Sequence, residues 1–202
     1  MVDASILLGM ISSSVVAAAR EAMRQQTKVN NAPAWRLTEI AVKKGRELAG
    51  TYGVDVSRVV IALYLAHAEF SDEIGGEVQR NHPRLSAEFA KHFLVEHRVS
   101  NDDIEVVLNA IRAHHDDEAI SSKEAEIVKN AEAFKFVSIP GALIFLHDLG
   151  RRELPLEDAA QEVLRKLDQK LSYLTLVECK NEAAKNAKAI RKLMASLTDP
   201  ES

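Results

Sequence analysis

The sequence predicts an all-α protein, and three observations carry that reading. Apolar residues recur at spacings of three and four along most of the 202 residues, the period of one helix face. Only 8 Gly and 5 Pro interrupt those runs. Alternating apolar and polar segments joined by turn dipeptides, which would announce paired strands, are missing.

The elements follow in order. A first helix, rich in small residues, is predicted from about Ala4 to Gln26, with TKVNNAP after it as a loop. The segment WRLTEIAVKKGRELAGTYG places Leu37, Ile40, Ala41, Leu48 and Tyr52 near one face and stops at Gly53. Asp55 then caps VSRVVIALYLAHAEF, whose residues Val59 to Ala66 are apolar on nearly every side. A helix of that character belongs at the centre of a bundle. Pro83 fits the first turn of PRLSAEFAKHFL, where its missing N–H is no loss. Ser100 with Asp103 opens DDIEVVLNAIRAHH, and Ser121 with Glu124 reads as a capping box for KEAEIVKNAEAF. Pro155 starts LEDAAQEVLRKLDQKL, and Asn181 is placed to cap EAAKNAKAIRKLMASL. The chain reads as one globular unit, with residues 1–30 as an N-terminal helix and loop and 31–198 as the helical domain.

Composition narrows the function. Hydrophobic residues make up 47% and charged residues 28%, ordinary for a globular domain with its own core. A net charge of −4 gives no basic footprint for a phosphate backbone, which excludes bulk nucleic acid as a partner but not a small phosphorylated ligand. The single cysteine, Cys179, excludes an intrachain disulfide and fits a reducing compartment. Only Lys180 stands beside it as a base, so the thiol reads as inert. In VDASILLGMISSSVVAAA, Asp3 stands where a signal peptide carries positive charge, and Arg20 and Glu21 end the run short of a bilayer span. The expectation is a cytoplasmic protein without membrane segments, whose small-residue first helix could dock on a second copy.

The chemistry lies in the histidines. His67 sits in LYLAHAEF, His82 in NHPRLSAEFA, and His114 and His115 in AIRAHHDDE, with Glu132 following in EIVKNAEAF. Imidazoles and carboxylates separated by one helix each are how an α-helical protein gathers ligands for a divalent metal. Neighbouring residues diverge by about 100° on a helix, so of the adjacent pair His114 is expected to face the cleft and His115 is the weaker candidate. His92 and His97 read as surface residues, and the His147-Asp148 pair of IFLHDLG as structural.

From Val54 to Phe136 these segments resemble the HD superfamily of metal-dependent phosphohydrolases. That family has a His-Asp pair ending one helix, a second histidine in the next segment, a histidine pair in a segment like IxxHH, and an aspartate in one like DADKLD. His67, His82, His114 with His115, and Glu132 fall on those places in order. The departures are specific. The first family histidine would fall near Trp35 or Arg36, the aspartate of the pair is Ala68, the last aspartate is Glu132, and the acid before it is Asn130.

The resemblance implies a divalent metal (Mn, Fe, Zn, Ni or Mg) on His67, His114, His115 and Glu132, with His82 and Arg36 acting on the phosphoryl oxygens of a nucleotide or other phosphate ester. Glu69, Asp72 and Glu73 could supplement the ligands if the helix ends at His67. The rival implication is a non-catalytic member that keeps the fold to bind a phosphorylated ligand, to regulate, or to contact another protein. Arg36, a guanidinium able to hold phosphate without metal, is its candidate anchor.

Overall fold

The computed structural model describes residues 11–70, 77–115 and 118–198. Among them are nine helices and no strand: α1 (Ser13–Asn30), α2 (Trp35–Tyr52), α3 (Val56–Leu65), α4 (Glu77–Glu96), α5 (Asn101–Arg112), α6 (Lys123–Val137), α7 (Ile139–Arg151), α8 (Leu156–Ser172) and α9 (Val177–Thr198). The fold is all-α, and no single helix among the described residues is long and apolar enough to cross a membrane.

The most apolar helix is at the centre, as its composition requires. Every residue of α3 from Val59 to Leu65 is buried, and α1, α2, α4, α5 and α6 all pack on it. Helix α1 contributes Val15, Ala19 and Met23 to the core through its contact with α3. On the far side of α6, helices α8 and α9 form an antiparallel pair, and α7 bridges α6 to α8.

Some predicted boundaries hold and others move, each for a local reason. Gly53 ends α2 in the left-handed conformation at φ 65°, which glycine adopts without a Cβ clash. Asp55 caps α3 by accepting from the backbone N–H groups of Ser57 and Arg58. Helix α1 runs on to Asn30, so TKVN is helical and not loop, and Asn31 closes it at φ 52°. The predicted start at Ala4 lies outside the described residues.

Helix α4 begins at Glu77, which puts Pro83 inside it and not in its first turn. There the proline forfeits one backbone hydrogen bond but is buried beside His82. The cap of α6 is Ser122, one residue after Ser121, because the Ser121 N–H is already given to the Asn109 side chain. Helix α9 starts at Val177, so Asn181 is interior. The two residues that lead into it are held from across the bundle instead. The wholly buried Asn130 accepts from the N–H groups of Thr175 and Leu176, and donates to Thr175 Oγ1 and the Glu126 carbonyl.

One polar network positions the site. Arg58, at the start of α3, donates from Nε to Asp103 Oδ1 at 2.7 Å and from its terminal nitrogens to Asp103 and Glu124 at 2.6 and 3.2 Å. It thereby joins the first turns of α3, α5 and α6. The three helices run in the same direction from that clamp, and at about 1.5 Å per residue they deliver His67, His114 and Glu132 roughly 12–17 Å further on. Asp103 is 4% exposed, so removing its partner strands a buried charge. Arg58→Met is expected to lower unfolding stability by about 2–3 kcal/mol, below the full value for a buried pair because Arg58 is partly solvated. Urea denaturation measures this, and a loss under 0.5 kcal/mol on the order of a surface substitution would contradict the clamp.

Candidate metal centre

Helix α3 ends at Leu65, and His67 lies in the tight turn beyond it. That turn is pinned by Ala68 N–H to the Leu65 carbonyl and Phe70 N–H to the His67 carbonyl. Two further contacts fasten it. The Asn30 side-chain amide, at the end of α1, donates to the Ala68 carbonyl. Ser86 of α4 accepts from the Glu69 N–H. Ser86 is one helical turn after His82, so the same contact sets His82 against His67, and their rings stack at 4.9 Å and 25°.

Helix α5 likewise stops at Arg112, so His114 and His115 lie past its end. The 100° divergence of helical neighbours therefore does not apply, and both rings turn toward His82, at 5.2 and 5.1 Å between centroids. Asn109 secures the return of the chain, donating to the Ala119 carbonyl and accepting from the Ser121 N–H.

The result is three buried histidines, His67, His82 and His114, with one ring nitrogen each lying within 4.8 Å of the others. The tautomers follow from their partners. His114 Nδ1 lies 2.5 Å from the Ile111 carbonyl, so it carries the proton and donates. That leaves His114 Nε2 with a lone pair, 3.2 Å from His82 Nε2. His67 Nε2 stands 3.6 Å from Glu132 Oε2. A backbone carbonyl holding the far nitrogen of an imidazole is the support a metal-ligating histidine commonly has.

Electrostatics keep these imidazoles neutral. Burial, reinforced by Lys135 and then by the neighbouring rings, drives His67 well below the ordinary histidine value. Burial takes His114 down to about 3, against the opposing pull of its bond to Ile111 and with the help of Lys170 and Lys135. His115 is lowered by burial, then by His114 and Lys170. Neutral imidazole is the form that binds metal.

Glu132 lies beside His67 but outside the cluster of three ring nitrogens, and it is itself paired with Lys135. Its Oε2 pairs with Lys135 Nζ at 2.5 Å, and both side chains are buried. Its Oε1 is buried with no hydrogen-bond partner among the described residues. A carboxylate oxygen in that state needs a proton donor or a cation. Ligands about 2.1 Å from a common ion stand roughly 3.0–3.4 Å apart, which the 3.2 Å between His82 Nε2 and His114 Nε2 meets; the 3.6 Å from His67 Nε2 runs to Glu132 Oε2, the oxygen that Lys135 already holds. Three clustered imidazole nitrogens, with a buried carboxylate beside one of them, fit a divalent transition metal. Lys135 was readable in principle, being three residues after Glu132 and so on the same helix face.

The other candidates fall elsewhere. Arg36 does not enter the site; its side chain is 73% exposed and pairs with Glu39 at 2.9 Å, because the start of α2 turns that position outward. Glu69 is not among the clustered ligands, and Asp72 and Glu73 lie outside the described residues. Asn130, on the position of a family acid, caps α9 and takes no part. His92, His97 and His147 are exposed. Asp148 is buried and held by Arg152 at 2.7 Å. Burial raises the Cys179 thiol to about 12, consistent with an inert residue.

Beside the histidines opens a cavity of about 720 Å³, lined by His67, His82, His115 and Glu132 and, from α6, α7 and α8, by cationic and aromatic side chains. Such a volume suits a small organic ligand.

A set of core helices that brings three imidazoles together beside a ligand-sized cavity is the class of fold and site seen here. The family model described as HD domain matches residues 35–136, half of the chain, and the protein belongs to that family. HD domains typically bind divalent metals. The fold is similar to the crystal structure of a Lactobacillus plantarum protein, a structural-genomics target, with a TM-score of 0.68 at 14% identity, covering 93% of this chain and 96% of that one. No curated protein matches the sequence.

The buried neutral histidines make stability depend on acid. In the unfolded chain histidine titrates near 6.5, whereas His114 in the fold titrates at about 3. Between those values the unfolded chain binds more protons, so stability is complete above about pH 6.5 and is lost as pH falls toward 3. Denaturation of chelator-treated protein across pH 7 to 4 is expected to show a decline on the order of a few kcal/mol; a flat profile would contradict the burial of neutral rings.

Proposed function

We propose that the protein is a metal-dependent phosphohydrolase of small phosphate esters, nucleotides among them. The observation that carries this reading is the convergence of His67, His82 and His114 within 4.8 Å, with His67 and His82 on the wall of a ligand-sized cavity. An imidazole-rich set suits zinc, nickel or iron, whereas magnesium prefers oxygen donors. Such a cation supplies Lewis acidity toward a phosphoryl oxygen and lowers the pKa of a water.

The chain's own residues do the rest. His114 is oriented through Nδ1 by the Ile111 carbonyl, which presents Nε2 inward. Glu132, whose Oε2 stands 3.6 Å from His67 Nε2 and whose Oε1 has no hydrogen-bond donor among the described residues, is placed to accept a proton there. Lys135 holds Oε2 and fixes the carboxylate plane. Phe70 closes edge-on over His67 and His82, at 5.5 and 5.0 Å, and limits water around them.

A second reading has its own observation. Ala68 offers no donor atom where the resembled family has an aspartate, and Lys135 already neutralises Glu132. On that reading the same cavity binds a phosphorylated ligand without cleaving it.

Metal analysis of protein purified without chelator, with turnover on a panel of nucleotides and sugar phosphates, separates the two. The expected result is about one transition-metal ion per chain, with affinity reduced about tenfold or more and turnover abolished in His67→Ala. Metal-free protein that binds but never cleaves the panel would overturn hydrolysis in favour of the second reading.

A further inference from the structure

Beyond the histidines, the cavity gathers three lysines on one aromatic ring. The ammonium groups of Lys135, Lys166 and Lys170 lie 5.3, 5.3 and 5.8 Å from the centre of Phe136, and all four residues line the cavity. Lys135 and Lys170 are 1% and 3% exposed. Lys135 has Glu132 as its counter-ion. Lys166 has no carboxylate within ion-pairing distance among the described residues, since Glu162, on the preceding turn, is taken by Arg165 through two bonds.

Drawing like charges together on a partly dry wall costs both repulsion and desolvation. Attraction to the rings of Phe136 and, for Lys170, Tyr173 offsets only part of that. The arrangement is stable in proportion to the negative charge it receives.

We infer that Lys135, Lys166 and Lys170 form an anion subsite for the terminal phosphate of a phosphomonoester. Two of these lysines come from α8, outside the residues matched by the family model. Three ammonium groups lining one cavity can be met by the three terminal oxygens of a monoester dianion; a diester presents two and carries one charge less. The subsite adjoins the imidazoles, since the fields of Lys166 and Lys170 are felt at His115 and that of Lys135 at His67. The organic part of the ligand then lies along Phe145, Leu149 and Leu154 in the same cavity. As a statement about substrate class this rests on the proposed function, but anion binding itself needs no metal.

The test uses chelator-treated full-length protein, so that no ligand is consumed, with titration calorimetry of phenyl phosphate and of methyl phenyl phosphate at constant ionic strength. Phenyl phosphate is expected to bind about tenfold more tightly than the diester, and Lys166→Met to weaken it about tenfold. Lys166→Arg, which keeps the charge, restores most of the affinity. Lys166 is only partly buried, so its variants report on binding even if Lys170→Met fails to fold, and their thermal melts verify this. Equal affinity for the two esters, an undiminished Lys166→Met, or no phenyl phosphate binding to either chelated or metal-loaded protein would each overturn the subsite. Metal content is measured in parallel. Lysine-dependent binding by a protein that takes up no metal keeps the subsite and removes metal-dependent hydrolysis, while metal uptake without phosphate binding does the reverse.

Discussion

The site exists because α3, α5 and α6 start from a common level and run the same way. Arg58 sets that level by joining the first turns of all three, and Asp103 is buried enough that the join is not readily exchanged for water. Everything at the other end inherits its register. A slip of one residue in α5 would move His114 by about 1.5 Å along the axis and rotate it by about 100°, more than a coordination sphere or a hydrogen bond tolerates.

The second dependence is electrostatic. Buried imidazoles are affordable only when neutral, and the lysines behind them help to keep them so. The same lysines would be destabilising on their own. Glu132 stands between the two groups, giving one oxygen to Lys135 and leaving the other without a partner among the described residues. A cation at the neutral histidines and an anion at the lysines would attract each other across Glu132 and Lys135, so the two are expected to bind with mutual reinforcement. The polar side chains that brace the site, Asn30, Ser86, Asn109 and Asn130, each satisfy backbone groups where a helix ends or a turn begins. They convert what would be loose connections into fixed walls.

Much of the fold was readable because helices declare themselves locally. The apolar run of α3, the Asp55 and Ser100 caps and the Gly53 stop are short-range signals, and the structure keeps them. The boundaries that moved are those decided at long range. Asn130 reaches across to start α9 well before Asn181, and Asn109 takes the Ser121 N–H and passes the cap to Ser122. No local pattern carries that information.

The site divides along the same line. Sequence alone determined that His67, His82, His114 and Glu132 are candidates, since they recur one per helix in a family order, and it marked Ala68 as a lost donor. Sequence also offered His115 as the weaker of its pair; tertiary structure decided that its ring too turns toward His82, because a helix ending at Arg112 releases both histidines from helical geometry. It also turned Arg36 outward to Glu39, withdrew Asn130 to cap α9, and brought Lys166 and Lys170 of α8 to the Phe136 ring. Residue type and spacing set what a side chain can do, but which side chains meet depends on packing between segments far apart in the chain.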